Sequence, residues 1–188
     1  MAGLNLEKLR FLVVDDRQPM RHLMRILLGT LGAKQIVEAR DGNAAFQEVK
    51  EGNIDIVIVD WEMENGNGID FIRMTRTAKD SPNPFLPIIM MTGYTELKRI
   101  VEARDAGVTE FLAKPITARS LAKRLVAIIE SPRPFVRTKT YFGPDRRRKN
   151  EPFSGPERRG SGAPTSAGAR TGGAANEQSA PTKVVART

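Results

Sequence analysis

Four short runs in this chain each end in a residue able to do chemistry. Leu9 to Val14 leads into Asp15-Asp16, Ile54 to Val59 into Asp60, Pro87 to Met91 into Thr92, and Glu110 to Ala113 into Lys114. A lone aspartate at such a place is more often a helix cap than a functional group. Its company changes that reading. Three carboxylates brought together repel, and at least one stays protonated unless a cation is bound. Oxygen donors without imidazole or thiolate suit a hard ion, Mg2+ above all, with water filling most positions. A lysine and a hydroxyl aimed at the same place add donors for an anion. The set therefore fits a divalent metal together with a phosphoryl group. A carboxylate attacking phosphorus forms an acyl phosphate, while the cations and the hydroxyl offset charge on the equatorial oxygens.

The elements that must position these groups are legible from spacing. Ile54 to Val59 is apolar but for Asp55 and rich in Ile and Val, the pattern of a strand buried on both faces. Leu9 to Val14, Gln35 to Ala39, Pro87 to Thr92 and Glu110 to Ala113 read as four more strands. Pro19 suits a first helical turn, and Met20, Leu23, Met24, Leu27, Leu28 and Leu31 follow at helical spacing up to Gly32. Asp41 caps a helix over Ala44 to Lys50, with Ala45, Phe46 and Val49 inward and Gly52 at its end. Glu62 to Gly68 reads as an irregular loop, and Ile69, Phe71, Ile72 and Met74 open the next helix. Glu96 to Ala106 forms another, stopped by Gly107, and Thr117 caps the last, with Leu121, Leu125, Ile128 and Ile129 on one face. Five strand–helix pairs in alternation predict an α/β fold, a doubly wound parallel sheet with helices on both faces. In such a sheet all the chemical residues fall on one edge, where ligands bind.

Composition bounds the function. The chain has 188 residues, no cysteine and one histidine, so disulfides and thiolate zinc sites are excluded and His22 builds no metal site alone. His22 is expected on the surface of the first helix. No stretch reaches the roughly 18 apolar residues of a membrane span, and Met1 to Arg10 lacks a secretory apolar core, so a cytoplasmic location is expected. Up to Glu130, 18 basic residues balance 18 acidic ones, and beyond it 12 face 4, so the net +8 belongs to the tail. The expected organisation is a domain over 1–130, a basic segment over 131–160 and a disordered tail over 161–188. Pro132 and Pro134 close the domain, and the residues after Asn150 are too poor in apolar groups for a core.

The arrangement resembles the receiver domain of bacterial response regulators, chemotaxis type, over roughly Leu9 to Glu130. The resemblance rests on Val13-Val14-Asp15-Asp16, Val59-Asp60-Trp61-Glu62-Met63, Met91-Thr92-Gly93 and Phe111-Leu112-Ala113-Lys114-Pro115. It implies a flavodoxin-like sheet of order 2-1-3-4-5. It also implies Asp60 as phosphoacceptor, and Mg2+ held by Asp16, Asp60 and the Glu62 carbonyl, with Asp15 acting through water. Thr92 and Lys114 would hold phosphoryl oxygens, Phe111 would be the aromatic switch or plain core, and the Lys114–Pro115 bond would be cis. A histidine kinase or histidine phosphotransfer protein would supply the phosphoryl group. The family's usual Met-Pro-x-Met-Asp-Gly after the acceptor is here Met63-Glu64-Asn65-Gly66-Asn67-Gly68, which predicts a more mobile loop.

Other readings fit less well. A degenerate receiver would have lost some of the acid pair, acceptor, hydroxyl and lysine. A haloacid-dehalogenase-type phosphatase wants an aspartate where Glu62 stands, and a dinucleotide fold wants glycines where Asp15-Asp16-Arg17-Gln18 stands. In the tail, Phe142-Gly143-Pro144-Asp145-Arg146-Arg147 recurs as Ser154-Gly155-Pro156-Glu157-Arg158-Arg159. It reads as a protein-docking segment, Arg133 to Arg159, ahead of a solvated arm or of a nucleic-acid contact through arginines and Tyr141, Phe142 and Phe153. The expected function is a phosphorylation-activated response regulator acting through a downstream protein. A DNA-binding regulator and a phosphate sink remain open.

Overall fold

The computed structural model describes residues 5–64, 66–93 and 97–146. Arg10–Val14 (β1), Gln35–Ala39 (β2), Ile56–Asp60 (β3), Ile88–Thr92 (β6) and Glu110–Ala113 (β7) form one sheet. Its order is β2-β1-β3-β6-β7 and every pairing in it is parallel. Counted without the two short strands that lie between β3 and β6 in the chain, this is the 2-1-3-4-5 order expected. The helices are Gln18–Thr30 (α1), Gly42–Glu51 (α2), Gly68–Thr77 (α3), Leu97–Ala106 (α4) and Ala118–Glu130 (α5). Glu62–Met63 (β4) and Gly66–Asn67 (β5) pair antiparallel, so part of the predicted irregular loop is a short ribbon.

Side chains alternate across a strand, and the core divides accordingly. Leu12, Val14, Val57, Val59, Ile88 and Met90 pack with Ala45, Phe46, Phe71, Ile72 and Ala103, on the side of α2, α3 and α4. Phe11, Val13, Ile56, Ile58, Ile89 and Met91 pack with Met24, Leu28, Leu121, Leu125 and Ile128, on the side of α1 and α5. Asp55, the polar residue in that apolar run, precedes β3 and accepts the Arg10 N–H at 2.8 Å, tying the strand entrances together. Asp41 accepts the Ala44 N–H, and Thr117 with Ser120 forms a capping box. Leu23, expected inward on α1, stays 38% exposed, because Met24 and Leu28 fill that interface. His22 is exposed. Among the described residues no helix is long and apolar enough to cross a membrane.

The sequence reading ends the domain at Glu130; regular structure continues further. Phe135–Arg137 (β8) and Phe142–Pro144 (β9) form an antiparallel hairpin. The Phe135 and Phe142 rings stand 5.2 Å from Phe85 and 5.7 Å from each other, and Tyr141 is buried with its hydroxyl donating to the Pro144 carbonyl at 2.7 Å. Three aromatic residues within eight positions supply the apolar area that the prolines obscured. Hence Pro132 and Pro134 lead into a hairpin instead of ending the fold. The second repeat copy and the expected disordered tail, 161–188, lie outside the described residues.

Candidate functional site

The register levels the strand ends. Val14 stands opposite Val59, Asp60 opposite Met91, and Thr92 opposite Ala113. The next residues along β1, β3, β6 and β7 therefore emerge side by side, with strands about 4.8 Å apart. Asp15, Asp16, Asp60, Thr92 and Lys114 accordingly share one edge, as their spacing predicts. The Lys114–Pro115 bond is cis.

Asp60 is only 2% exposed, and both its oxygens are engaged. Oδ1 accepts from Lys114 Nζ at 2.7 Å and from the Trp61 N–H at 2.9 Å. Oδ2 accepts from Arg17 Nη2 at 3.1 Å. Asp15 is fully buried, and its Oδ1 accepts the Arg17 N–H at 2.9 Å. Asp16 Oδ2 accepts the Glu64 N–H at 2.9 Å. Burial, and secondarily the Asp60 charge, pushes the Asp15 carboxyl above its ordinary range, against the pull of Arg17. The Asp15 charge in turn pushes the Arg17 guanidinium up. Behind the acid pair, Arg21 donates to the carbonyls of Asp15 at 2.7 Å and Asp16 at 3.2 Å while pairing with Glu38. Asp16, Arg17, Asp60, Glu62, Glu64 and Lys114 are among the residues lining an open cleft of about 400 Å³. Thr92 is buried at its rim, Glu62 turns its side chain to Arg99 at 3.0 Å, and Phe111 packs partly buried on the α2–α3–α4 face.

This geometry has close counterparts. The family model for the response regulator receiver domain matches residues 11–126. The chain belongs to the response regulator receiver family. Among curated relatives, chemotaxis protein CheY-3 of Vibrio cholerae is 36% identical over 130 residues, covering 69% of this chain and 98% of the relative. Chemotaxis protein CheY of Pseudomonas aeruginosa is 36% identical over 122 residues, covering 65% of this chain and 97% of its own. Among solved structures, Vibrio cholerae CheY4 superposes with a TM-score of 0.58 at 28% identity, covering 64% of this chain and 98% of that one. The chain thus carries a receiver domain homologous to chemotaxis response regulators of two-component signalling.

Two features of the receiver fit a hard cation. Asp15 Oδ2 and Asp16 Oδ1 are buried oxygens with no hydrogen-bond partner, a costly state that a metal or its water relieves. The donors are carboxylates and a carbonyl, the set Mg2+ prefers. Among the described residues no three His, Cys, Asp or Glu side chains form a cage.

Sequence reasoning missed two residues of this site. Arg17 was visible only as an arginine beside an acid pair, which reads as a solvated charge. Gly68 opens α3 against the acceptor's backbone, its N–H donating to the Trp61 carbonyl at 3.0 Å. A Cβ there would stand 2.1 Å from the Asp60 carbonyl oxygen, so only glycine fits. The Asn67-Gly68 pair was its signal, with Asn67 capping the helix through the Ile69 N–H.

Proposed function

We propose that this receiver takes a phosphoryl group onto Asp60 from the phosphohistidine of a sensor kinase or histidine phosphotransfer protein, and signals through a downstream protein. A carboxylate oxygen of Asp60 attacks phosphorus, the phosphorus–nitrogen bond to the histidine breaks, and an acyl phosphate forms. The observation that carries this reading is a buried carboxylate held between two cations, next to two buried carboxylate oxygens that accept no hydrogen bond. Asp16, Asp60 and the Glu62 carbonyl would hold Mg2+, with Asp15 acting through water. When bound, the ion supplies charge neutralisation at the transferring phosphoryl oxygens. Lys114 exchanges its contact with Asp60 for a phosphoryl oxygen, and the Thr92 hydroxyl donates to another. Movement of Thr92 opens space for Phe111, which carries the change to β7 and its flanking helices.

Docking by the whole segment Arg133 to Arg159 narrows, because its first part serves its own domain. Arg133 donates to the Thr109 carbonyl, and Arg146 pairs with Asp105 at 3.1 Å while lying 3.9 Å over the Tyr141 ring. Tyr141 and Phe142 are packed in the hairpin, which supports protein contact over base stacking. We assign tail docking to residues after Arg146.

The test is phosphorylation of the full chain by Mg2+ and acetyl phosphate. One residue, Asp60, should be labelled; Asp60→Ala should abolish labelling and Asp16→Ala should weaken it. Labelling that survives Asp60→Ala, or is unchanged by chelator, overturns the proposal.

A further inference from the structure

Among the described residues, Arg17 is the one cation that pairs with all three aspartates of the edge. Its Nη2 lies 3.1 Å from Asp60 Oδ2, and its Nε lies 3.4 Å from Asp15 Oδ1 and 3.8 Å from Asp16 Oδ1. Lys114 reaches Asp60 alone. Arg17 is also anchored at its backbone, where its N–H donates to Asp15 and where it caps the start of α1. The guanidinium offsets the mutual repulsion of the acids, yet it leaves Asp15 Oδ2 and Asp16 Oδ1 without a hydrogen bond. Five donors fixed in one rigid plane cannot also meet those two oxygens. A small divalent ion and its water can. The Arg17 side chain is 54% exposed, so it can turn into solvent without opening the core.

We infer that Arg17 is a built-in cation competing with Mg2+ for Asp15, Asp16 and Asp60, and that it thereby sets the Mg2+ concentration at which the site fills. This rests on the Mg2+ site proposed above. Mg2+ and the guanidinium repel each other when drawn to the same carboxylates, so bound Mg2+ displaces Arg17, and the loss of those ion pairs is subtracted from the metal's affinity. Arginine at this position raises the metal threshold relative to a neutral residue.

The chain's one tryptophan makes this measurable without any phosphotransfer. Trp61 is buried next to the acceptor, and its backbone N–H donates to Asp60 Oδ1. Mg2+ is titrated into the full chain and followed by Trp61 fluorescence and by calorimetry, for wild type, Arg17→Gln, Arg17→Lys and Arg25→Gln. Arg25 is on the same helix and pairs with Glu38, about two turns further on. Its variant removes the same charge from a residue that touches none of the three aspartates, and Arg21 still pairs with Glu38 and holds the Asp15 and Asp16 carbonyls. Arg17→Gln should bind Mg2+ tighter by about three- to thirtyfold. Arg17→Lys should fall between, and Arg25→Gln should match wild type. In chelator Arg17→Gln should melt below wild type, and saturating Mg2+ should raise its Tm by more. Equal or weaker Mg2+ binding in Arg17→Gln overturns the inference, as does equal tightening in Arg25→Gln. If neither wild type nor Arg17→Gln binds Mg2+, the metal site itself falls, and the inference with it.

Discussion

The two ends of the sheet treat cations in opposite ways. At the carboxyl ends, Arg17 and Lys114 meet carboxylates that outnumber them, and a cleft opens onto the cluster. At the amino ends, Arg76 of α3 is 3% exposed, and among the described residues no carboxylate lies within ion-pair distance of it. Its Nε donates to the Gly107 carbonyl at 3.1 Å and its Nη1 to the Pro84 carbonyl at 2.9 Å, and the Phe135 ring lies 5.1 Å away. Burial pushes this guanidinium down to about 9, so it still carries charge at neutral pH. Carbonyl dipoles and a ring face are fixed partners that no ligand can exchange. Carboxylates on an open edge are exchangeable ones. The first arrangement fastens the hairpin to the domain; the second, on the proposed function, leaves charge to be traded for a metal and a phosphoryl group.

Removing one cation at each end sharpens that contrast, and it has the largest expected effect. Lys114→Met should slow labelling by acetyl phosphate roughly 100-fold, the scale for losing one transition-state donor, with little change in Tm. Arg76→Ala should cost about 2–4 kcal/mol of unfolding free energy, as buried large-to-small changes do, while the folded protein still labels on Asp60. Arg76→Met keeps the volume and removes the charge, so it should be far milder in urea unfolding. An Arg76→Ala chain that is stable but cannot be labelled would break the division between the ends.

A smaller effect belongs to Glu38, which braces Arg21 behind the acid pair. Burial opposes its ionisation, but hydrogen bonds from Arg25 and Arg21 hold its carboxyl below the ordinary value of 4.5. Its stabilisation is therefore present above pH 4.5 and is lost as pH falls through the lower folded value. Glu38→Gln should lower stability by roughly 1 kcal/mol at pH 7. The deficit should shrink below pH 4.5, measured by thermal unfolding across pH.

The carboxyl edge was legible in the sequence because its signals are local and redundant. β3 and β6 are unbroken apolar runs that end in a polar residue, β1 is apolar from Phe11 to Val14 and leads into Asp15, and alternation fixes which side chains face each helix layer. Parallel order then forces Asp15, Asp60, Thr92 and Lys114 together without any knowledge of contacts. The amino end offered no such pattern. β8 and β9 have three residues each, Arg76 lies between helix positions that read as ordinary, and Gly107 signals only a helix stop. Its second role is tertiary: a Cβ there would stand 3.1 Å from the Arg76 side chain and 3.2 Å from the Phe142 carbonyl oxygen. Arg17 was missed for a related reason, since an arginine's partner is a matter of reach and not of spacing.

Amide chemical-shift mapping of the full chain, before and after Mg2+ with acetyl phosphate, tests the central claim most directly. The account predicts the largest changes at Asp60, Trp61, Thr92, Gly93 and Lys114, all lost in Asp60→Asn, with the Arg76, Gly107 and Gly143 amides nearly still. Changes centred on Gly107 and Gly143 while Asp60 and Trp61 stay in place, or changes that persist in Asp60→Asn, would contradict it.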